Sequence, residues 1–115
     1  MYTNGNLTLL VRDFDAAIHF YHEQLGLNLR VRYDNDWAEV EAPGLTIGLH
    51  AAEDTGEASS RASIGLQVAD IEEAVASLRD RGVEFPGDIE DNDHLRIIHL
   101  HDPEGNGVYL TQPKH

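Results

Sequence analysis

At 115 residues the chain has the length of one domain, too short for an enzyme built from separate cofactor and substrate domains. Its 41% apolar and 25% charged residues are those of a globular protein, not a disordered one, and the absence of cysteine removes disulfides, thiolate metal sites and a cysteine nucleophile together. A net charge of −13 repels nucleic acid and anionic membrane, no apolar run reaches the ~20 residues of a membrane helix, and the first residues lack the basic and apolar character of a leader, so a cytoplasmic protein is expected.

The first strand ends at Val11, with Leu7, Leu9 and Val11 alternating against Asn6, Thr8 and Leu10. Asp13 then stands where a helix N-cap is needed. Phe14, Ala17, Ile18, Tyr21 and Leu25 follow at helical spacing, and Gly26 is placed to end the helix in the left-handed conformation. His19, His22 and Glu23 fall off that stripe and read as solvated residues. The period then changes to two. Asn28–Tyr33, Trp37–Ala42 and Leu45–His50 read as strands, punctuated by Asp34-Asn35-Asp36 and Pro43-Gly44. Residues 52–62, polar and small, read as a linker.

A second strand–helix pair opens with Ser63. Asp70 is its N-cap, with Glu73 completing a capping-box pattern, and Ile71, Ala74, Val75 and Leu78 form the stripe before Gly82. A weak strand is expected at Val83–Phe85, interrupted by Pro86-Gly87. Leu95–His101 and Gly107–Gln112 are the last two strands, joined by the turn Asp102–Asn106. The two halves are copies. Leu9/Leu66, Val11/Val68, Asp13/Asp70 and Ala17/Ala74 are identical at an offset of 57, while Phe14/Ile71, Ile18/Val75 and Tyr21/Leu78 keep their apolar class. The expected architecture is α+β in one domain over 1–115: a βαβββ module at 5–51, a linker at 52–62 and a second module at 63–112.

Strand alternation sorts the side chains without structural help. A two-residue hairpin at Pro43-Gly44 sets Ala42 opposite Leu45, Val40 opposite Ile47 and Ala38 opposite Leu49 on the side covered by helices. Trp37, Glu39 and Glu41 then face His50, Gly48 and Thr46 on the other side. The same count puts His99 opposite Tyr109, with His101 beside them, and sends Leu29, Val31 and Tyr33 to the helix side. The remaining face carries Arg30, Arg32, Trp37, Glu39, His50, Gln67, His99 and Tyr109. Aromatic walls with a few convergent polar groups are what a small-molecule pocket uses, although one wetted sheet face is also ordinary.

Val11-Arg12-Asp13 followed by Ala17-Ile18-His19-Phe20-Tyr21 and Leu25-Gly26-Leu27 resembles the vicinal oxygen chelate superfamily, as do Val68-Ala69-Asp70-Ile71-Glu72-Glu73-Ala74 with Gly82-Val83 and Asp102-Pro103-Glu104-Gly105-Asn106. That superfamily holds glyoxalase I, extradiol dioxygenases, fosfomycin-resistance enzymes and bleomycin-resistance binding proteins. The resemblance implies two βαβββ modules curled into a cupped mixed sheet with the helices outside, paired as a homodimer. It also implies a divalent metal held by His, Gln or Glu from the first and last strands of each module. Those positions fall here on Asn6, Gly48, Ser63 and Tyr109, none a good ligand for a divalent ion.

The expected function is therefore binding of a small organic ligand, cationic or aromatic, in the cup without a metal or other cofactor, in the manner of the bleomycin-resistance proteins. Trp37 and Tyr109 would stack on the ligand, Glu39 and Glu41 would meet positive groups, and His50 and His99 would supply hydrogen bonds. The alternative is a lyase, isomerase or dioxygenase-type enzyme with a displaced metal site drawn from Glu39, His50, His99 and His101.

Overall fold

The computed structural model describes residues 1–3, 5–54 and 63–114; most of the expected linker, residues 55–62, lies outside the described residues. Module 1 runs β1 (Leu7–Val11), α1 (Phe14–Ile18) continued by a π-helical turn (His19–Gln24), β2 (Asn28–Tyr33), β3 (Trp37–Ala42) and β4 (Leu45–Ala51). Module 2 runs β5 (Ser63–Gln67), α2 (Ile71–Asp80), β6 (Glu90–Asp91), β7 (Leu95–His101) and β8 (Gly107–Pro113). Each makes a four-stranded mixed sheet of the same topology, β1-β4-β3-β2 and β5-β8-β7-β6. In each, the first strand lies parallel to the last and the others are antiparallel. The α+β fold of two repeated modules is as the sequence implies.

Both helices start where the aspartates predict. Asp13 Oδ1 accepts from Ala16 N–H at 3.0 Å and Asp70 Oδ1 from Glu73 N–H at 3.1 Å, each satisfying a donor that the first turn leaves without a partner. The ends differ between copies. In α2, Val83 N–H reaches back five residues to Leu78 O, whereas in α1 Leu27 N–H reaches back six to Tyr21 O. The π-helical turn has absorbed one extra residue, which is why Gly26 and Gly82 are 56 apart while the helix starts are 57 apart. Both glycines have positive φ, 78° and 89°, and end their helices as expected. His22 is not simply solvated. It is half-buried, and its Nδ1–H donates to Leu27 O at 2.8 Å, tying down the widened end.

One stretch differs from expectation. Val83–Phe85 is not a strand. Pro86 lacks the N–H a ladder needs, and the side chains of Val83, Phe85 and Ile89 are spent on the core. The edge strand forms instead as the two-residue β6 at Glu90–Asp91, pairing with Ile97 and Arg96.

A single apolar core runs through both modules, from Leu9, Val11 and Phe14 to Val108 and Leu110. The modules are joined at their helix ends. Tyr21 O–H donates to Asp102 Oδ2 at 2.7 Å, Asp13 N–H donates to Glu104 Oε2 at 3.1 Å, and Gln24 and Arg81 each donate to the other's carbonyl. Tyr21, Asp102 and Asn106 are all buried, and the carboxylate is saturated. Oδ2 also accepts from Asn106 Nδ2–H at 2.8 Å, and Oδ1 accepts the N–H groups of Glu104 and Asn106 at 2.9 and 2.8 Å. Burial and the adjacent Asp102 carboxylate push the Tyr21 hydroxyl far above the ordinary phenol range. The result is longer than a compact domain: the radius of gyration is 14.5 Å against about 13 Å for this length.

Candidate functional site

The expected site residues fall on two sheets. In module 1 the register pairs Trp37 with His50, Glu39 with Gly48 and Glu41 with Thr46, while Ala38 opposite Leu49 and Val40 opposite Ile47 face the helix. The Trp37 ring lies across Gly48, where a Cβ would collide with it, and meets His50 edge-on with ring centres 5.9 Å apart. Its indole N–H donates to Glu39 Oε2 at 2.9 Å. Arg30 stands 3.9 Å from Glu39 and 3.6 Å from Glu41, so an aromatic plate, two carboxylates and a guanidinium share one face.

Module 2 repeats the device with other residues. Tyr109 pairs with both Gly65 and His99. Its ring covers Gly65, again in the space a Cβ would occupy, and its centre is 6.1 Å from that of His99. Gln67 is exposed two residues further along β5, and His101 is exposed two residues beyond His99.

Arg32 does not belong to this face. The β2–β3 register slips between Leu29 and Val31, a bulge that sets Arg30 and Val31 together against Glu39 and inverts every position after it. Arg32 therefore pairs with buried Ala38 and turns to the helix. There its guanidinium lies 5.2 Å from the Phe14 ring centre and donates to Asp15 Oδ1 at 2.9 Å and Asn35 Oδ1 at 2.8 Å. Tyr33, expected on the helix side, pairs with Trp37 instead and is 63% exposed. Strict alternation through Asn28–Tyr33 misses Tyr33 because nothing in that run marks a bulge.

The metal positions implied by the resemblance do not fit a divalent ion. Gly48 has no donor and no room for one under Trp37. Asn6 Oδ1 accepts from the Thr8 hydroxyl at 3.2 Å, Ser63 offers only a hydroxyl, and the Tyr109 ring is laid over Gly65. The displaced set is not assembled within one chain either. Glu39 and His50 lie on one sheet and His99 and His101 on the other. Among the described residues no three His, Asp or Glu side chains converge on a common point.

Two βαβββ modules, each with a glycine under an aromatic ring on the face away from its helix, define a protein of the paired-module cup class. The chain belongs to the Glyoxalase/Bleomycin resistance protein/Dioxygenase superfamily, whose pattern matches residues 5–110. It is 25% identical to YraH of Bacillus subtilis (strain 168) over 90% of this chain and 93% of that one. A glyoxalase/bleomycin resistance protein/dioxygenase from Nocardioides superposes with a TM-score of 0.79 at 26% identity, over 98% of this chain and 84% of that one. A lactoylglutathione lyase from Agrobacterium tumefaciens shares the fold, with a TM-score of 0.76 at 14% identity over 96% and 92% of the two chains.

Proposed function

We propose that the protein binds a small organic ligand on the Trp37 and Tyr109 faces without a metal at the family positions, as a sequestering protein of the bleomycin-resistance kind. The observation that carries this reading is Gly48. A position that would have to supply a ligand has no side chain and is roofed by Trp37, so the space where an ion would sit is given to a stacking surface. Glu39 and Glu41 favour a ligand with a positive group, while Arg30 supplies the counter-charge when the face is empty.

The two faces sit on separate sheets, and the hydrogen bonds between modules are made at the helix ends. A closed cup then needs a second copy, which would set the Trp37 face of one chain against the Tyr109 face of the other and make the protein a homodimer. The test is the metal content of untagged protein purified without chelator, together with its melting temperature in added Zn²⁺, Ni²⁺ or Mn²⁺. Substoichiometric metal and an unmoved midpoint are expected. One transition-metal ion per chain would overturn the reading and point to Glu39, His50, His99 and His101 meeting across a dimer.

A further inference from the structure

The internal repeat has left one of its two helix faces uncovered. In module 1 the positions Ala17, Phe20 and Tyr21 are 0, 5 and 0% exposed. The five-residue turn Asp102–Asn106 comes down beside them through the Tyr21–Asp102 hydrogen bond. The offset of 57 carries these positions to Ala74, Ser77 and Leu78 of α2. There the corresponding turn is Pro43-Gly44, two residues instead of five. At the same place a benzyl side chain has become a hydroxymethyl, and a phenol an isobutyl group. None of the three is buried: Ala74 and Leu78 are half-exposed and Ser77 is exposed.

The missing ring and the short turn leave a groove of about 390 Å³ between the modules, walled by Leu27 and Leu45 from one and Leu66, Leu78 and Leu110 from the other. This volume lies within the ~300–1,000 Å³ of small-molecule sites, and the apolar wall with few polar groups is typical of them. Although a quarter of the chain is charged, no charged side chain lines the groove.

We propose that this groove is a second binding site, centred on the helix side of β5 and reaching Gly65 and Gln67 at the edge of the Tyr109 face, for a neutral apolar molecule about the size of an aromatic ring system. The absence of lining charge selects against ions, because a charged ligand would lose its hydration without gaining a partner. The vacancy corresponds to the Phe20 benzyl group in the other copy, which sets the ligand's width and favours a ring. Ser77, exposed beside it, can meet one polar substituent. The proposal does not rest on the metal-free reading of the cup; a metal found there would leave it untouched.

The test uses the full chain and the neutral fluorophore N-phenyl-1-naphthylamine. Saturable binding of one probe per chain is expected, with nuclear Overhauser contacts to the methyl groups of Leu27, Leu66 and Leu78. Ser77→Phe, which restores the residue of the other copy, should weaken binding at least tenfold with no change in sedimentation. Ala74→Leu fills the same space more gently and should weaken it as well, which covers the case of a misfolded Ser77→Phe. Unsaturable binding, contacts to the Trp37 or His99 rings with none to Leu66 or Leu78, or unchanged affinity in a folded variant would each overturn the proposal. So would a change in oligomeric state on Ser77→Phe, which would make the groove an interface between copies.

Discussion

Tyr21 shows how one side chain can hold two modules together. Its ring is in the core, edge-on to Phe20 at 5.0 Å, and its hydroxyl crosses to Asp102, the only buried carboxylate among the described residues. Tyr21→Phe keeps the packing and removes a hydrogen bond to a charged acceptor, so a loss of about 1.5–3 kcal/mol is expected from urea unfolding at neutral pH. The same hydroxyl makes stability depend on alkaline pH. Its folded pKa lies above the unfolded value of 10.0, so the folded chain keeps a proton that the unfolded chain gives up. The stabilisation is fully present below pH 10 and falls by about 1.4 kcal/mol per pH unit above it. The difference in stability between the protein and Tyr21→Phe should therefore shrink from pH 9 to pH 11. A constant difference would mean that the hydroxyl ionises normally. Asp91 shifts the other way: a hydrogen bond from Lys114 holds its carboxyl below the usual range, and whatever it adds is present above the ordinary carboxylate pKa and is lost as pH falls.

At the level of single elements, the bulge in β2 decides which of two arginines lies on the Trp37 face. Arg30 reaches the Glu39–Glu41 pair, whereas Arg32 packs on Phe14 and caps the turn through Asp34 O and Asn35. Arg32→Ala should cost stability, of the order of 0.5–1 kcal/mol for a half-exposed cation over a ring, and should leave Trp37 emission unchanged. Arg30→Ala should do the reverse and shift the emission, because it frees the carboxylate that accepts the indole N–H. A Trp37 spectrum that moves only in Arg32→Ala would contradict this register. The turn at Pro43-Gly44 is equally constrained. Gly44 has φ of 76°, and Gly44→Ala should lower stability by about 1 kcal/mol through backbone strain alone.

For the molecule as a whole, the continuous core and the buried Tyr21–Asp102–Asn106 cluster make two modules into one cooperative unit. Trp37 is the sole tryptophan and reports module 1, while helical circular dichroism comes from both modules, from residues 14–24 of one and Ile71–Asp80 of the other. The two signals should give coincident urea midpoints. Separated transitions would show that the joint between modules is weaker than its burial implies.

Much of this architecture was legible in the sequence because it depends on local rules. Asp13 and Asp70 cap the helices, period-two alternation sets the strands, and the turn residues Pro43-Gly44 and Asp102–Asn106 fix the hairpin registers. Trp37 opposite His50 and Tyr109 opposite His99 follow from those registers by counting. The parity of Arg32 and Tyr33 does not, because a bulge costs little locally and is chosen by what the flanking side chains find: Phe14 and Asp15 draw Arg32 to the helix side. The two-residue strand β6 is likewise decided by an edge of β7 that no local pattern reveals. The same holds for the buried bond between Tyr21 and Asp102, 81 residues apart, and for the groove beside Ala74, Ser77 and Leu78. Each depends on how the modules meet, and that is set by burying the helix ends against one another, an energy shared by both halves and written in neither.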